Sequence, residues 1–159
     1  MNWDAIGAIA ELLGAIGVIA SLVYLAVQLK QNTRALQASS YQMFRQEVTQ
    51  VFQSPVAIHG LSKTIRTGLT DFERLDEDEA FEFGYWAHGV VHTYDNAYYQ
   101  YRVGMLDGDR WEMQRAIILD FFRNPSFVQW WKTAALENLS PEFVALVEDI
   151  LGEEPDRGE

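Results

Sequence analysis

Cysteine is absent from this chain of 159 residues, which excludes disulfides, thiolate nucleophiles and cysteine-based metal sites. Proline occurs only four times, and neither proline nor glycine interrupts residues 18–53. Strand-like alternation, low-complexity segments and internal repeats are also missing. These absences predict an all-α protein with one unusually long helix.

Basic residues are scarce, with 12 lysines and arginines against 23 acidic residues, for a net charge of −11. Residues 71–159 carry seven basic and twenty acidic side chains, a net charge of −13, whereas residues 30–70 carry +4. An acidic lobe repels nucleic-acid phosphates, so no nucleic-acid partner is expected. The basic segment lies where anionic lipid headgroups would be.

The feature that organises the chain is the stretch of residues 12–29, which contains no formal charge and is almost wholly apolar. At a rise of about 1.5 Å per residue it spans roughly 27 Å, the thickness of a bilayer core. We therefore predict a transmembrane helix over residues 1–29 in a lipid bilayer. The alternative is a buried hairpin helix of a soluble protein.

Charge around this stretch predicts its orientation. The basic residues Lys30, Arg34 and Arg45 follow the apolar run, whereas acidic Asp4 precedes it. The positive-inside rule then places the C-terminal domain in the cytoplasm and the N-terminus outside. A cleaved secretory signal would carry its basic residues before the apolar run, so we expect no cleavage.

The domain organisation follows from helix-breaking and capping signals. A juxtamembrane helix, residues 30–54, should continue from the span to the first break at Ser54-Pro55, and a small helical-bundle domain should occupy residues 55–152. Capping signals predict helices near residues 55–67, 76–103, 109–123, 125–138 and 141–151. These signals are the Asp76/Glu79 and Asp109/Glu112 pairs, Asn124-Pro125, Ser140-Pro141, and glycines 68, 104 and 152. The charged tail, residues 153–159, is expected to be disordered.

Small residues recur along one side of the predicted span at spacings of three and four. The stripe comprises Gly7, Ala10, Gly14, Gly17 and Ser21, and it continues to Gln28. Small residues allow helices to approach closely in lipid, so the stripe predicts a seam for a homo-oligomer or for packing on another membrane protein. In a second hypothesis, a small cation channel, Glu11 at one mouth and Gln28 and Asn32 at the other line the pore.

The later part of the chain is dense in aromatic residues, and one predicted helix carries a polar stripe. The stripe comprises Tyr85, His88, His92, Asp95, Tyr99 and Arg102. His88 and His92 have the i, i+4 spacing of a metal-binding pair with Asp95 as a third ligand, which gives a third hypothesis, a metal-dependent enzyme. No HExxH pattern or nucleophile accompanies them, so the favoured interpretation is a partly buried structural cluster with no metal, cofactor or catalysis. Core packing is predicted for the aromatics Trp111, Phe121, Phe122, Phe127, Trp130, Trp131 and Phe143.

Two segments resemble a set of short bacterial proteins predicted to have one N-terminal span. They are residues 22–36, LVYLAVQLKQNTRAL, and residues 94–107, YDNAYYQYRVGMLD, and the Pro-x-Phe and Trp-Trp helices add to the likeness. The resemblance implies a bacterial inner-membrane protein and carries no assigned activity. The combined prediction is a single-span, homo-oligomeric membrane protein whose cytoplasmic helical domain serves as a scaffold or partner-binding module.

Overall fold

The computed structural model describes residues 2–58, 60–134 and 136–152, except the side chains of Ala5 and Val56. Within these ranges the chain is all-helical, as the sequence predicts, and it divides into two compact units, Met1–Ser39 and Ser40–Glu159. The second unit begins at Ser40, earlier than the residue 55 expected for the helical domain. The tail predicted to be disordered, residues 153–159, lies outside the described residues.

Helix α1, Trp3–Ala57, is 55 residues long, about 82 Å at the usual helical rise. Every described side chain from Asn2 to Leu36 is exposed, including large apolar ones such as Leu12 and Leu22, about 60% exposed. By length and composition this helix is able to cross a membrane, and none of its apolar window is buried. The Ser21 hydroxyl donates to the Gly17 carbonyl at 2.9 Å, so the helix itself satisfies this polar group.

The break predicted at Ser54-Pro55 is wrong, because α1 continues through Pro55 to Ala57. Proline cannot donate to the carbonyl four residues earlier, which here belongs to Val51. The Ser54 hydroxyl instead donates to that carbonyl oxygen at 3.0 Å. Ser54 thus compensates for the lost bond rather than capping a new helix.

Helix α2, Leu61–Thr70, and a 3-10 turn, Phe72–Arg74, lead to the central helix α3, Glu77–Arg102. The predicted capping box is confirmed: the Glu79 N–H donates to Asp76 Oδ1 at 2.8 Å, and the Asp76 N–H donates to Glu79 Oε2 at 3.4 Å. The predicted end near Gly104 is also confirmed, since this glycine has φ of 75° just after the last turn.

Helices α4, Gly108–Phe122, α5, Pro125–Thr133, and α6, Pro141–Gly152, complete the fold. The Asp109/Glu112 capping box is wrong, because the cap is Asp107, whose carboxylate accepts the Arg110 N–H at 2.9 Å. The Asn124 cap is confirmed, with its side-chain oxygen accepting the N–H groups of Ser126 and Phe127. Helix α5 ends five residues before the predicted 138.

Aromatic and aliphatic side chains from α2 to α6 pack around α3 in the main core. Its members include Phe83, Val90, Phe122, Phe127, Trp130, Trp131 and Phe143. A second cluster joins Phe44 of α1 to Ala97, Leu106 and Trp111. Core packing is confirmed for six of the seven predicted aromatics, and Phe121 is half-buried against the main core.

Candidate functional site

The polar stripe of α3 divides into three parts. Tyr85 and Tyr99 are 79% and 60% exposed. Asp95 and Arg102 contact the start of α6, whereas His88 and His92, on the preceding turns of α3, border a groove. The structure therefore does not assemble the stripe into one site.

Asp95 has a structural partner in Ser140, the residue before α6. Its carboxylate oxygens accept the backbone N–H of Ser140 at 3.0 Å and the hydroxyl of the same residue. Two turns further along α3, the Arg102 guanidinium lies 2.8 Å from the Glu142 carboxylate. The Arg102 hydrogen bond lowers the pKa of Glu142, which keeps this exposed pair ionised. Both carboxylates are thereby engaged in fixing α6 against α3.

The two histidines lie one turn apart on α3. Their ring centroids are 6.3 Å apart, and the His88 ring meets the Trp130 ring edge-on at 5.1 Å. His88 therefore packs against an aromatic ring of the main core. Burial, and secondarily the neighbouring His92, lowers the pKa of His88 below its usual 6.5. The neutral imidazole is therefore the favoured form in the folded chain.

The third metal ligand proposed from the sequence is not available to this pair. Asp95 accepts two hydrogen bonds from Ser140, and among residues 2–58, 60–134 and 136–152 no three His, Asp, Glu or Cys side chains are placed to hold a metal ion. A two-histidine pair alone leaves a zinc ion short of the three protein ligands of a catalytic site.

The histidines instead border a groove that sequence reasoning missed. The groove has a volume of about 780 Å³ and lies between the end of α1, the start of α2 and the first half of α3. Helix α1 contributes Val51 and Ser54, and α2 contributes Leu61. Ile58, which directly follows the end of α1, also lines the groove. On α3, besides the histidines, the lining residues include Phe81, Glu82, Tyr85 and Trp86.

Several large apolar side chains at this groove are exposed to an unusual degree. Phe81 and Tyr85 are 76% and 79% exposed, and Ile58 is 54% exposed. Phe81 and Tyr85 are one helical turn apart, so they lie on the same side of α3. The i, i+4 spacing of this aromatic pair is visible in the sequence. The residues of α1 and α2 that complete the groove are distant from it in the chain, so the sequence does not reveal the groove itself.

Glu82 supplies the charge of the groove. It is the only Asp, Glu, Lys or Arg among the described residues that line it, and its Oε2 accepts the hydroxyl of Thr64 at 3.2 Å. Lys63 pairs with Glu79 at 3.5 Å, and neither residue lines the groove. The groove is thus a mostly apolar surface with one carboxylate.

The predicted membrane residues all belong to the first unit. Gly7, Ala10, Gly14, Gly17, Ser21 and Gln28 are exposed, as are Glu11 and Asn32. A Cβ atom added at the three glycines would meet nothing within 4 Å. Packing within this chain therefore places no demand for a small residue at any of the three positions.

The chain matches no protein-family model, no curated protein and no solved structure.

Proposed function

We propose that this chain is a single-span, homo-oligomeric membrane protein whose helical domain is a non-catalytic scaffold or partner-binding module. The observation that carries the proposal is the complete exposure of the apolar stretch, residues 12–29, in a helix long enough to cross a bilayer. Exposed apolar area of this extent is unfavourable in water and favourable in lipid. A helix also satisfies its backbone polar groups internally, which lipid requires.

The proposed location is the bacterial inner membrane, with the helical domain in the cytoplasm. The basic residues Lys30, Arg34 and Arg45 after the span support this orientation, and the resemblance to short bacterial membrane proteins supports the membrane. Protease added to intact spheroplasts should leave the C-terminal domain whole and should digest it after lysis. Digestion before lysis would reverse the orientation, and recovery of the chain in the soluble fraction would remove the membrane proposal.

The proposed homo-oligomer assembles along the small-residue stripe. Close backbone approach is a main source of helix association in lipid, and Gly14 and Gly17 have no partner in this chain that explains their size. The variant Gly14→Leu/Gly17→Leu should lose the oligomer that crosslinking detects in native membranes. The matched variant Ala8→Leu/Ala15→Leu adds leucines on the other side of the helix and should keep it. An oligomer that survives in both variants would place assembly in the helical domain.

The same preparation tests the cation-channel alternative. In planar bilayers the oligomer should show no conductance if it is a scaffold. A cation-selective conductance that Glu11→Gln abolishes would replace the scaffold by a channel. The metal-enzyme alternative has lost its proposed third ligand, because the Asp95 carboxylate accepts hydrogen bonds from Ser140.

A further inference from the structure

The groove between α1, α2 and α3 has the dimensions of a small-molecule site. Its volume of about 780 Å³ falls within the roughly 300–1,000 Å³ that ligand pockets occupy. Such pockets are mainly apolar and carry a few polar groups that orient the ligand. Here Val51, Leu61 and Trp86 supply apolar surface, and Glu82 supplies one charged group.

The charged residues at the groove determine whether it favours a cationic or an anionic ligand. No lysine or arginine is among the described residues that line it, so an anion would meet the Glu82 carboxylate without a compensating base. The lowered pKa of His88 keeps this lining residue neutral at neutral pH. Residues 71–159 carry −13, and their summed field attracts cations.

The aromatic residues select the type of cation. Phe81 and Tyr85 flank Glu82 in sequence, and Trp86 follows within the same turn. Aromatic faces attract organic cations and are used to recognise quaternary ammonium groups. An apolar cation would also cover the exposed rings, whereas a hydrated metal ion would not.

We propose that this groove binds an apolar organic cation of drug-like size, with Glu82 as its counter-charge and Phe81 and Tyr85 as its aromatic contacts. A second copy of this chain is a poor occupant, because pairing two lobes that each carry −13 brings like charges together. The proposal concerns the second unit alone and does not depend on oligomerisation through the membrane helix.

The probes are tetraphenylphosphonium and tetraphenylborate, which have nearly the same size and shape and opposite charge. The full chain is reconstituted in nanodiscs of zwitterionic lipid, and binding is measured by equilibrium dialysis against empty nanodiscs. The comparison with empty nanodiscs removes partitioning of either ion into lipid. Tetraphenylphosphonium should bind saturably, with one site per chain, and at least about tenfold more tightly than tetraphenylborate.

Three variants test the assigned residues. Glu82→Gln removes the charge and should weaken binding of the phosphonium roughly tenfold. Glu148→Gln removes the same charge from an exposed position of α6 outside the groove, and should leave affinity nearly unchanged. Phe81→Leu/Tyr85→Leu keeps apolar surface while removing two rings, and should also weaken binding. All three positions in the groove are exposed, so circular dichroism should report an unchanged fold.

The outcomes separate clearly. Selective, saturable binding that Glu82→Gln weakens and Glu148→Gln does not supports the proposal. It is overturned if the borate binds as well as the phosphonium, or if no saturable binding of the phosphonium occurs. Equal losses in the two glutamine variants would also overturn it, since they would indicate a general charge effect rather than a site.

Discussion

Asp95 accepts hydrogen bonds from both the backbone N–H and the hydroxyl of Ser140, 45 residues later in the chain. The Ser140 hydroxyl oxygen in turn accepts the N–H of Phe143 at 3.3 Å, within the first turn of α6. One carboxylate therefore fixes the residue directly before the last helix. Phe143 itself is fully buried, so this contact also positions a core side chain.

We expect Asp95→Ala to lower the free energy of unfolding by about 1–3 kcal/mol, because it removes a charged acceptor from a partly buried contact. Ser140→Ala should cost a similar amount, and the double variant should cost less than the sum of the two. Urea unfolding of the full chain in detergent, followed by tryptophan fluorescence, measures these values. Glu142→Gln, which breaks only the exposed pair with Arg102, is the control and should cost less. Strictly additive losses would mean that Asp95 acts elsewhere.

The second prediction concerns Gly68. It is buried inside α2, where a Cβ atom would overlap the Phe83 ring. Gly68→Ala should destabilise the domain by about 1–3 kcal/mol, since Phe83 lies in a packed core. Gly108→Ala is the matched control, because nothing lies within 4 Å of its added Cβ and it should be neutral or slightly stabilising. Both are read from the same urea unfolding curves, and equal effects of the two alanines would contradict the close contact.

Local signals predicted local structure well. Asp76 with Glu79, and Asn124 with Pro125, form their caps from residues within three positions of each other, so the sequence alone contains the whole motif. The wrong predictions arose where another residue nearby in the chain could cap the helix or replace the lost hydrogen bond. Asp107 caps α4 two residues before the expected Asp109, and the Ser54 hydroxyl allows α1 to pass Pro55.

Features that join distant segments could not be predicted in this way. Gly68 was expected to end a helix, but its size is set by Phe83 on another helix. The spacing of His88, His92 and Asp95 correctly places them on α3, but it does not reveal that Ser140 engages one of them. The groove is formed by three helices, and only its aromatic pair on α3 is visible as a pattern.

Tyr94 carries a prediction for alkaline pH. Burial raises its pKa to about 12, against an opposing effect of Arg45. In the unfolded chain this phenol ionises near its usual value of 10.0, so ionisation favours unfolding between these two values. Stability should therefore fall as pH rises from about 10 to 12, and less so in Tyr94→Phe. The stability of Tyr99→Phe, which changes an exposed residue, should fall as steeply as that of the parent. Urea unfolding in this range measures all three, and parallel curves for parent and Tyr94→Phe would contradict the assignment.

The last prediction concerns His88 and mildly acidic pH. Burial and the neighbouring His92 lower its pKa in the folded chain, whereas the unfolded chain titrates near 6.5. As pH falls below about 6.5 the unfolded state binds the proton first, so stability declines and then levels off once the folded imidazole is also protonated.

His88→Gln should remove this decline. At pH 7.5 it should cost about 0.5–1.5 kcal/mol for the lost ring contact with Trp130, and at pH 5 it should cost less, because the parent has itself lost stability. His92→Gln should keep the decline in a weaker form, since only the smaller of the two causes is removed. Urea unfolding between pH 5 and pH 7.5 measures each effect. A cost for His88→Gln that is independent of pH would mean that its imidazole titrates alike in the folded and unfolded chains.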